Sequence, residues 1–278
     1  MEWKTILVHA DPSAHAAGRI ACAARLASTF GAHLVGISTT GISRHVCAEY
    51  PSTPGDIIHG YLDPIYAGAN RCLDEFEHIV RSAAVPSWER QLVSDLPEDG
   101  LARRAAFCDL VVVSQNDPAE STSLVVADLP EYVVLNCARP VLVVPYTGTG
   151  GPVGRRALVG WNGSNEAVAA VASALPILAR AEQVSVAMFD PPQLDSPDGV
   201  HPVADLAAWL GRHGVKAEVL VRHANVDAGL ALLALAGETG ADLLVMGCYG
   251  HARLRELLLG GATDTVLRAM TIPVLMAH

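Results

Sequence analysis

Apolar residues in this chain fall either in short unbroken runs or in three- and four-residue steps, and the two patterns alternate from end to end. Unbroken runs at Lys4–Ala10, Leu110–Ser114 and Val141–Val144 predict strands of a parallel sheet covered on both faces. His33–Thr40 and Trp88–Val93 predict two more. Ile20, Ala24, Ala27 and Phe30 share one helical face, which predicts a helix ending at Phe30 with Ser13 as its N-cap. Leu62, Ile65, Ala69, Leu73, Phe76 and Val80 predict a helix over 61–80. The preceding residues 41–60 carry Gly, Ser and Pro without a period and read as a loop. Shorter helices are predicted at 97–107, with Asp95 as a candidate cap, and at 129–137.

After a turn-rich linker at Tyr146–Pro152 the pattern starts again. ALVGWNGS, from Ala157, matches ILVHADPS, from Ile6, at an offset of 151. A helix to Leu178, a strand at 184–189, an irregular segment at 190–202, a helix at 204–212, a strand at 217–221 and a helix at 228–238 follow. Asp109-Leu-Val-Val-Val aligns with Asp242-Leu-Leu-Val-Met, and Arg139-Pro-Val-Leu-Val with Ile272-Pro-Val-Leu-Met, both at an offset of 133. The drop from 151 to 133 puts 18 extra residues in the first half, assigned here to the 41–60 loop. The reading is a tandem duplication of one five-stranded α/β unit, as domains 1–148 and 154–278, with parallel strands joined by right-handed crossovers.

Composition narrows the function classes. A net charge of −10 argues against a nucleic-acid surface, which needs clustered Lys and Arg. Apolar runs of strand length and the direct entry from Met1 into a strand argue against a membrane span or a secretory signal, so a cytoplasmic location is expected. The six cysteines have no paired spacing and read as buried thiols; the eleven histidines show no HxH, HxxxH or HExxH, so no metal site is expected beyond a nucleotide-borne Mg²⁺.

The stretch with candidate chemistry is Ala241–His278. There an apolar run meets Gly247-x2-Gly250-x9-Gly260-Gly261, followed by a helical pattern and a second apolar run, Ile272–Met276. A glycine loop between a strand and a helix is where α/β proteins hold phosphorylated ligands. The same glycines also suit turns with positive φ, and that structural reading stays open. His251, Arg253 and Arg255 suit either phosphate neutralisation or a solvated basic patch. Cys248 reads as a loop-lining thiol, and Trp161 as core filler or a stacking wall.

These glycines, with Thr271-Ile-Pro-Val-Leu-Met beyond them, resemble the universal stress protein family in its tandem form, and the resemblance covers both halves. It implies two units of the adenine-nucleotide α-hydrolase-like fold, packed as an intramolecular pseudo-dimer in contact through Val141–Val144 and Val274–Met276. It also implies an ATP site, with Mg²⁺, formed by Asn162, Met246, Gly247, Gly250, Gly260, Gly261 and Ala262. The chain departs from the family pattern at Asn162, where the family has Asp, and at Gly261, where it has Ser or Thr. Asn still donates and accepts, and Gly261 keeps its backbone N–H while losing a hydroxyl worth roughly 1 kcal/mol. In the first half the glycine positions carry Ser114, Asp117, Ala127 and Asp128, so that copy reads as degenerate although Asp11 is kept.

The expected function is regulatory: a stress-response protein whose adenine-nucleotide occupancy is read by an unidentified protein partner, with a homodimer as a further assembly. A nucleotide-free interaction or small-ligand carrier module is the alternative. No catalytic residue is identified, and at most slow ATP hydrolysis is expected, because neither GxSxG nor a Walker sequence occurs.

Overall fold

The computed structural model describes residues 2–43, 55–120, 129–190, 202–223, 226–249 and 261–278. These form two compact units, Glu2–Arg139 and Pro140–His278.

In the first unit β1 (Thr5–His9), β2 (His33–Thr39), β3 (Trp88–Val93) and β4 (Leu110–Ser114) are all parallel, in the order β3-β2-β1-β4. Ile6 sits beside Leu34 and Leu110, and Val8 beside Gly36 and Val112. Ile6, Val8, Leu34, Leu110 and Val112 are fully buried, which accounts for unbroken apolar runs in place of alternation. The helices are α1 (Ala16–Phe30), α2 (Gly55–Ser82), α3 (Pro97–Ala105) and α4 (Leu129–Asn136). α2 lies close on β2 because Gly36 has no Cβ; one added there would stand 2.6 Å from the Phe76 ring.

The second unit repeats this plan. β6 (Arg156–Gly160), β7 (Gln183–Phe189), β8 (Ala217–Arg222), β9 (Leu243–Gly247) and β10 (Val274–Ala277) run parallel in the order β10-β9-β6-β7-β8. β5 (Val141–Val144) joins them at the outer side of β10 and runs antiparallel, pairing Val143 with Val274 and Val141 with Met276. The helices here are α5 (Asn165–Leu178), α6 (Pro202–Arg212), α7 (Ala228–Thr239) and α8 (Ala262–Ala269). Among the described residues no helix is long and apolar enough to cross a membrane. The described cysteines, Cys22, Cys72, Cys108, Cys137 and Cys248, are buried and outside disulfides; burial pushes the Cys108 thiol up to about 12, with Cys137 and Asp109 nearby adding to the shift.

Three local expectations are corrected. Ser13 does not cap α1: the N-cap is His15, without a side-chain bond, and the Ser13 hydroxyl donates instead to Asp11 Oδ1 at 2.6 Å. A carboxylate is the stronger acceptor, so it takes the hydroxyl proton. Asp95 does not cap α3 either: its N-cap is Leu96, with Pro97 next, while Asp95 pairs with Arg103. The extra residues of the first half are largely helical. There are 48 residues between β2 and β3 but 27 between β7 and β8, and α2 has 28 residues against 11 in α6. α2 starts at Gly55, six residues before the predicted start at Tyr61, and carries the roughly 1 kcal/mol helix penalty of each glycine at 55 and 60.

The duplicated aspartates clamp each sheet. Asp109 Oδ2 accepts from the backbone N–H of Lys4 (2.7 Å) and Thr5 (2.9 Å) at the start of β1. Asp242 accepts from Gly154 (2.7 Å), Arg155 (3.2 Å) and Arg156 (3.2 Å) at the start of β6. Each carboxylate precedes the neighbouring central strand, so it ties two strands in register where the ladder begins. Replacing Asp242 with Ala removes charge-assisted bonds worth about 1.5–3 kcal/mol in total, and urea unfolding should show a loss of that size with Asp242→Ala and a similar one with Asp109→Ala.

Candidate functional site

The two halves build the same location in opposite ways. In each, the strand-one loop and the carboxyl end of the adjacent central strand (β1 with β4, β6 with β9) meet the first turn of the following helix.

In the first unit this junction is filled by a buried arginine. Arg19, 2% exposed, points from α1 into the gap between the strand ends. Its Nε donates to the His9 carbonyl (2.8 Å), Nη1 to Ser114 Oγ (2.6 Å), and Nη2 lies 2.9 Å from Asp11 Oδ1. His9 Nδ1 is 3.1 Å from the other Asp11 oxygen, and the Ser13 N–H and hydroxyl both donate to Oδ1. Burial pushes the Asp11 carboxyl up, but the Arg19 guanidinium, helped by His9 and Ser13, outweighs it and holds the group well below the usual carboxylate range.

The loop after β4 then supplies its own anions. Glu120 Oε1 accepts from the Ala14 N–H (2.8 Å), just ahead of α1, and Asp117 Oδ2 lies 2.8 Å from His15 Nε2. Asp117 Oδ1 accepts from Ala119 N–H, and this bond and His15 lower its carboxyl pKa. Carboxylates thus occupy the place beside a helix start where a phosphate is ordinarily held. Of the four positions facing the glycines, Ser114 and Asp117 are placed in this network; Ala127 and Asp128 lie outside the described residues.

Next to this network lies a crevice of about 630 Å³, which the sequence reading missed. Its walls are the ends of β1 (His9, Ala10, Asp11) and β2 (Ser38, Thr39, Thr40) and the flank of α2 (Ile65 to Glu75). Asp11 was its visible signal; the helix that walls it was expected over 61–80, but its placement beside the ends of β1 and β2 is a tertiary arrangement that no local pattern carries. Cys72 lines it, and burial, then Asp11 and Glu75, raise its thiol pKa, so it is a neutral wall group and no nucleophile.

In the second unit the matching positions are small: Gly160 for His9, Asn162 for Asp11, Ala170 for Arg19 and Gly247 for Ser114. α5 therefore drops onto β9. A Cβ on Gly247 would stand 2.4 Å from the Ala167 nitrogen and 2.5 Å from the Glu166 carbonyl carbon. Packing alone demands glycine here. Asn162 is exposed, and its Oδ1 accepts from the Ser164 N–H (3.0 Å); Ser164 caps α5 by accepting from Ala167 N–H.

Met246 and Gly247 end β9, and Gly160 pairs with Met246, so Asn162 follows the neighbouring strand end. Trp161 is half-buried there. The chain then turns at Tyr249, whose φ of +50° is rare for a residue with a side chain. Its N–H reaches Thr263 Oγ1 (3.4 Å), which ties the turn to the first turn of α8. Gly261 is the α8 N-cap and makes no side-chain cap bond; Ala262 is the first helical residue. Cys248 is buried, its thiol donating to the Ala277 carbonyl, in keeping with an unreactive thiol. Gly250, Gly260, His251, Arg253 and Arg255 lie outside the described residues.

A family model described as the universal stress protein family matches residues 154–278. The second half of this chain belongs to the universal stress protein family. Over 81 residues the chain is 41% identical to a universal stress protein of Synechocystis sp., covering 28% of this chain and 27% of that protein. Over 45 residues it is 36% identical to one from Methanocaldococcus jannaschii, covering 16% and 28%. The matched stretches thus span little more than a quarter of either relative. The fold extends further than the sequence match. The crystal structure of a universal stress protein from Archaeoglobus fulgidus covers 98% of this chain and 97% of its own at a TM-score of 0.74 and 15% identity. A functionally unknown protein from Pseudomonas aeruginosa covers 99% and 92% at 0.59 and 17%. The universal stress protein fold therefore runs through both halves.

Two outcomes test the site's construction. Because the folded Asp11 pKa is depressed, its contribution to stability is fully present above its unfolded value of about 3.9 and is lost as pH falls through the lower folded value. Asp11→Asn should flatten that acid limb and, at pH 7, cost on the order of 3 kcal/mol in urea unfolding by leaving Arg19 without its counter-charge. Gly247→Ala should cost about 1–3 kcal/mol with no ligand present, since the added methyl meets backbone and not a movable side chain.

Proposed function

We propose that the second half binds an adenine nucleotide, ATP with Mg²⁺, and that its occupancy is read by a protein partner in a stress response. The observation that carries this reading is the junction of β9 and α8. Tyr249 bends the chain at a strained φ so that the strand end meets a helix start whose cap, Gly261, supplies no side-chain acceptor to the first-turn amides. Strain of this kind persists where function uses the geometry, and helix-start amides with a partial positive charge suit phosphate. In the first half the end of the equivalent strand, β4, is engaged by Arg19 through Ser114, and the loop after it carries Asp117 and Glu120 to the start of α1, so a phosphate is directed to the second half alone.

Each residue then has a role. Asn162 spends its Oδ1 on the Ser164 N–H, leaving the Nδ2 amide as a donor toward the edge of a base. Gly261 and Ala262 offer backbone N–H groups to phosphate; Gly250 and Gly260 complete the family spacing between them and Gly247. Met246 closes the strand end as apolar wall and is 5% exposed. Mg²⁺ would arrive on the nucleotide, where it neutralises phosphate charge.

One observation favours the alternative of a nucleotide-free interaction or carrier module: Gly247 is already explained by its contact with α5. Titration calorimetry with MgATP separates the two. Saturable binding to the intact protein is expected, and Gly261→Ser, tolerated at φ −72°, should tighten it roughly fivefold by restoring one hydroxyl to phosphate, about 1 kcal/mol. No heat at millimolar nucleotide would remove the ATP reading, and unchanged affinity in Gly261→Ser would show that the start of α8 does not touch phosphate.

A further inference from the structure

We propose that the free edge of β8 is an interface with a second copy of this chain, the two β8 strands pairing antiparallel about a two-fold axis at Leu220. β8 pairs with β7 along its whole length and, among the described residues, with no other strand, so one side of its backbone is open. The Arg222 carbonyl accepts from the Asp190 N–H at the end of β7. Backbone direction alternates along a strand, so Glu218 and Leu220 also turn their backbone groups to β7, while Ala217, Val219 and Val221 turn theirs outward. On that open side the Val221 carbonyl is met by the side chain of its own neighbour, Arg222 Nη1 at 3.1 Å. Val221 is 39% exposed, and Val226, just past the strand end, is exposed as well.

The strand's own residues select this occupant. A two-fold axis at Leu220 sets Glu218 opposite the partner's Arg222 and Val219 opposite the partner's Val221, with Leu220 opposite itself. Val219 and Val221 both face outward, so each of their pairings exchanges two backbone hydrogen bonds, and the Val221 carbonyl passes from Arg222 to an N–H of the second copy. That frees the guanidinium for the opposing carboxylate. Glu218 and Arg222 are both exposed, and among the described residues Glu218 has no ion pair to give up. A parallel pairing in the same register would set Glu218 against Glu218 and Arg222 against Arg222, like charges that destabilise a strand pair. Charges on a sheet edge ordinarily keep other strands away, and β3 carries Arg90, held by Asp74 at 2.7 Å and Glu77 at 3.1 Å. On β8 the spacing of opposite charges turns the guard into two symmetric ion pairs. Because the same edge serves both copies, the assembly closes at a dimer and leaves no edge for a third chain.

This pairing does not rest on nucleotide binding, so it is measured on the intact protein without nucleotide. Sedimentation over a range of concentrations should show a monomer–dimer equilibrium, and hydrogen exchange of peptides spanning 217–222 should slow as the dimer forms. Glu218→Arg opposes like charges at both ends of the pairing and should weaken the dimer at least roughly tenfold. Arg222→Glu should do the same. The two substitutions together restore opposite charges in reversed order and should bring the dimer back to within a few-fold of its original strength. Val219→Pro takes an outward N–H from the edge without removing a bond to β7, and should leave a folded monomer by circular dichroism. The proposal is overturned if the protein sediments as a monomer throughout, or if the dimer persists undiminished in either single charge variant. A combined variant no tighter than the single ones would also overturn it, as would a dimer whose protection falls outside 217–222.

Discussion

The distance between the first turn of the helix after strand one and the end of the neighbouring central strand governs both halves of this protein. In the second half that distance is a backbone contact, made possible because Gly247 presents no side chain to Glu166 and Ala167. In the first half it is occupied by the Arg19 guanidinium, which joins His9, Asp11 and Ser114. Once the arginine is buried it needs a counter-charge, so Asp11 must stay ionised, and the Ser13 hydroxyl is drawn to it and away from the helix cap. The Asp11, Arg19 and Ser114 side chains are therefore one unit, and their counterparts Asn162, Ala170 and Gly247 are another. Exchanging Asp11 alone would leave the buried Arg19 charge uncompensated, and exchanging Gly247 alone would set a side chain against backbone.

Most of the strands were legible because a strand buried on both faces must be apolar at every position, a pattern that does not depend on its surroundings. β1, β4 and β5 were legible in this way, and the repeat doubled the signal for β6, β9 and β10. The same repeat exposed Asp109 and Asp242 as a matched pair, but their role as clamps on the amides of the preceding strand start is a long-range bond that no local pattern carries. Helix boundaries were less legible, because residue preference alone did not decide them. Gly55 and Gly60 read as loop, yet α2 runs through them. Ser13 reads as a cap until the carboxylate two residues earlier is seen to compete for it.

The site divided along the same line. Asp117 was read as hostile to phosphate, and it lies beside Glu120 at the α1 turn, where an anion would otherwise sit. The degenerate reading of the first half concerned its ligand loop alone, and the crevice there is walled by the flank of α2, which neither strand supplies. A motif compared position by position reports what was lost from an ancestral loop. It says nothing about what an element elsewhere in the chain adds.

Gly247 shows why glycine counts alone are a weak guide to a ligand. Two needs, close helix packing and close ligand approach, select the same residue for the same reason, the absence of Cβ. The packing need is met in full by α5, so this glycine cannot also be counted toward a phosphate. Tyr249 is different, because no packing rule favours a left-handed tyrosine; the conformation costs of order 1 kcal/mol or more and holds only if its surroundings insist on it. Its counterpart in the first half, Asn116, is not among the described residues with positive φ. The half that bends its chain toward a helix start without a capping side chain is the half whose sequence has Gly250 and Arg253 where the first has Asp117 and Glu120, although Asp264 lies in the first turn of α8, and that coincidence weighs more for a phosphate ligand than the glycine spacing does.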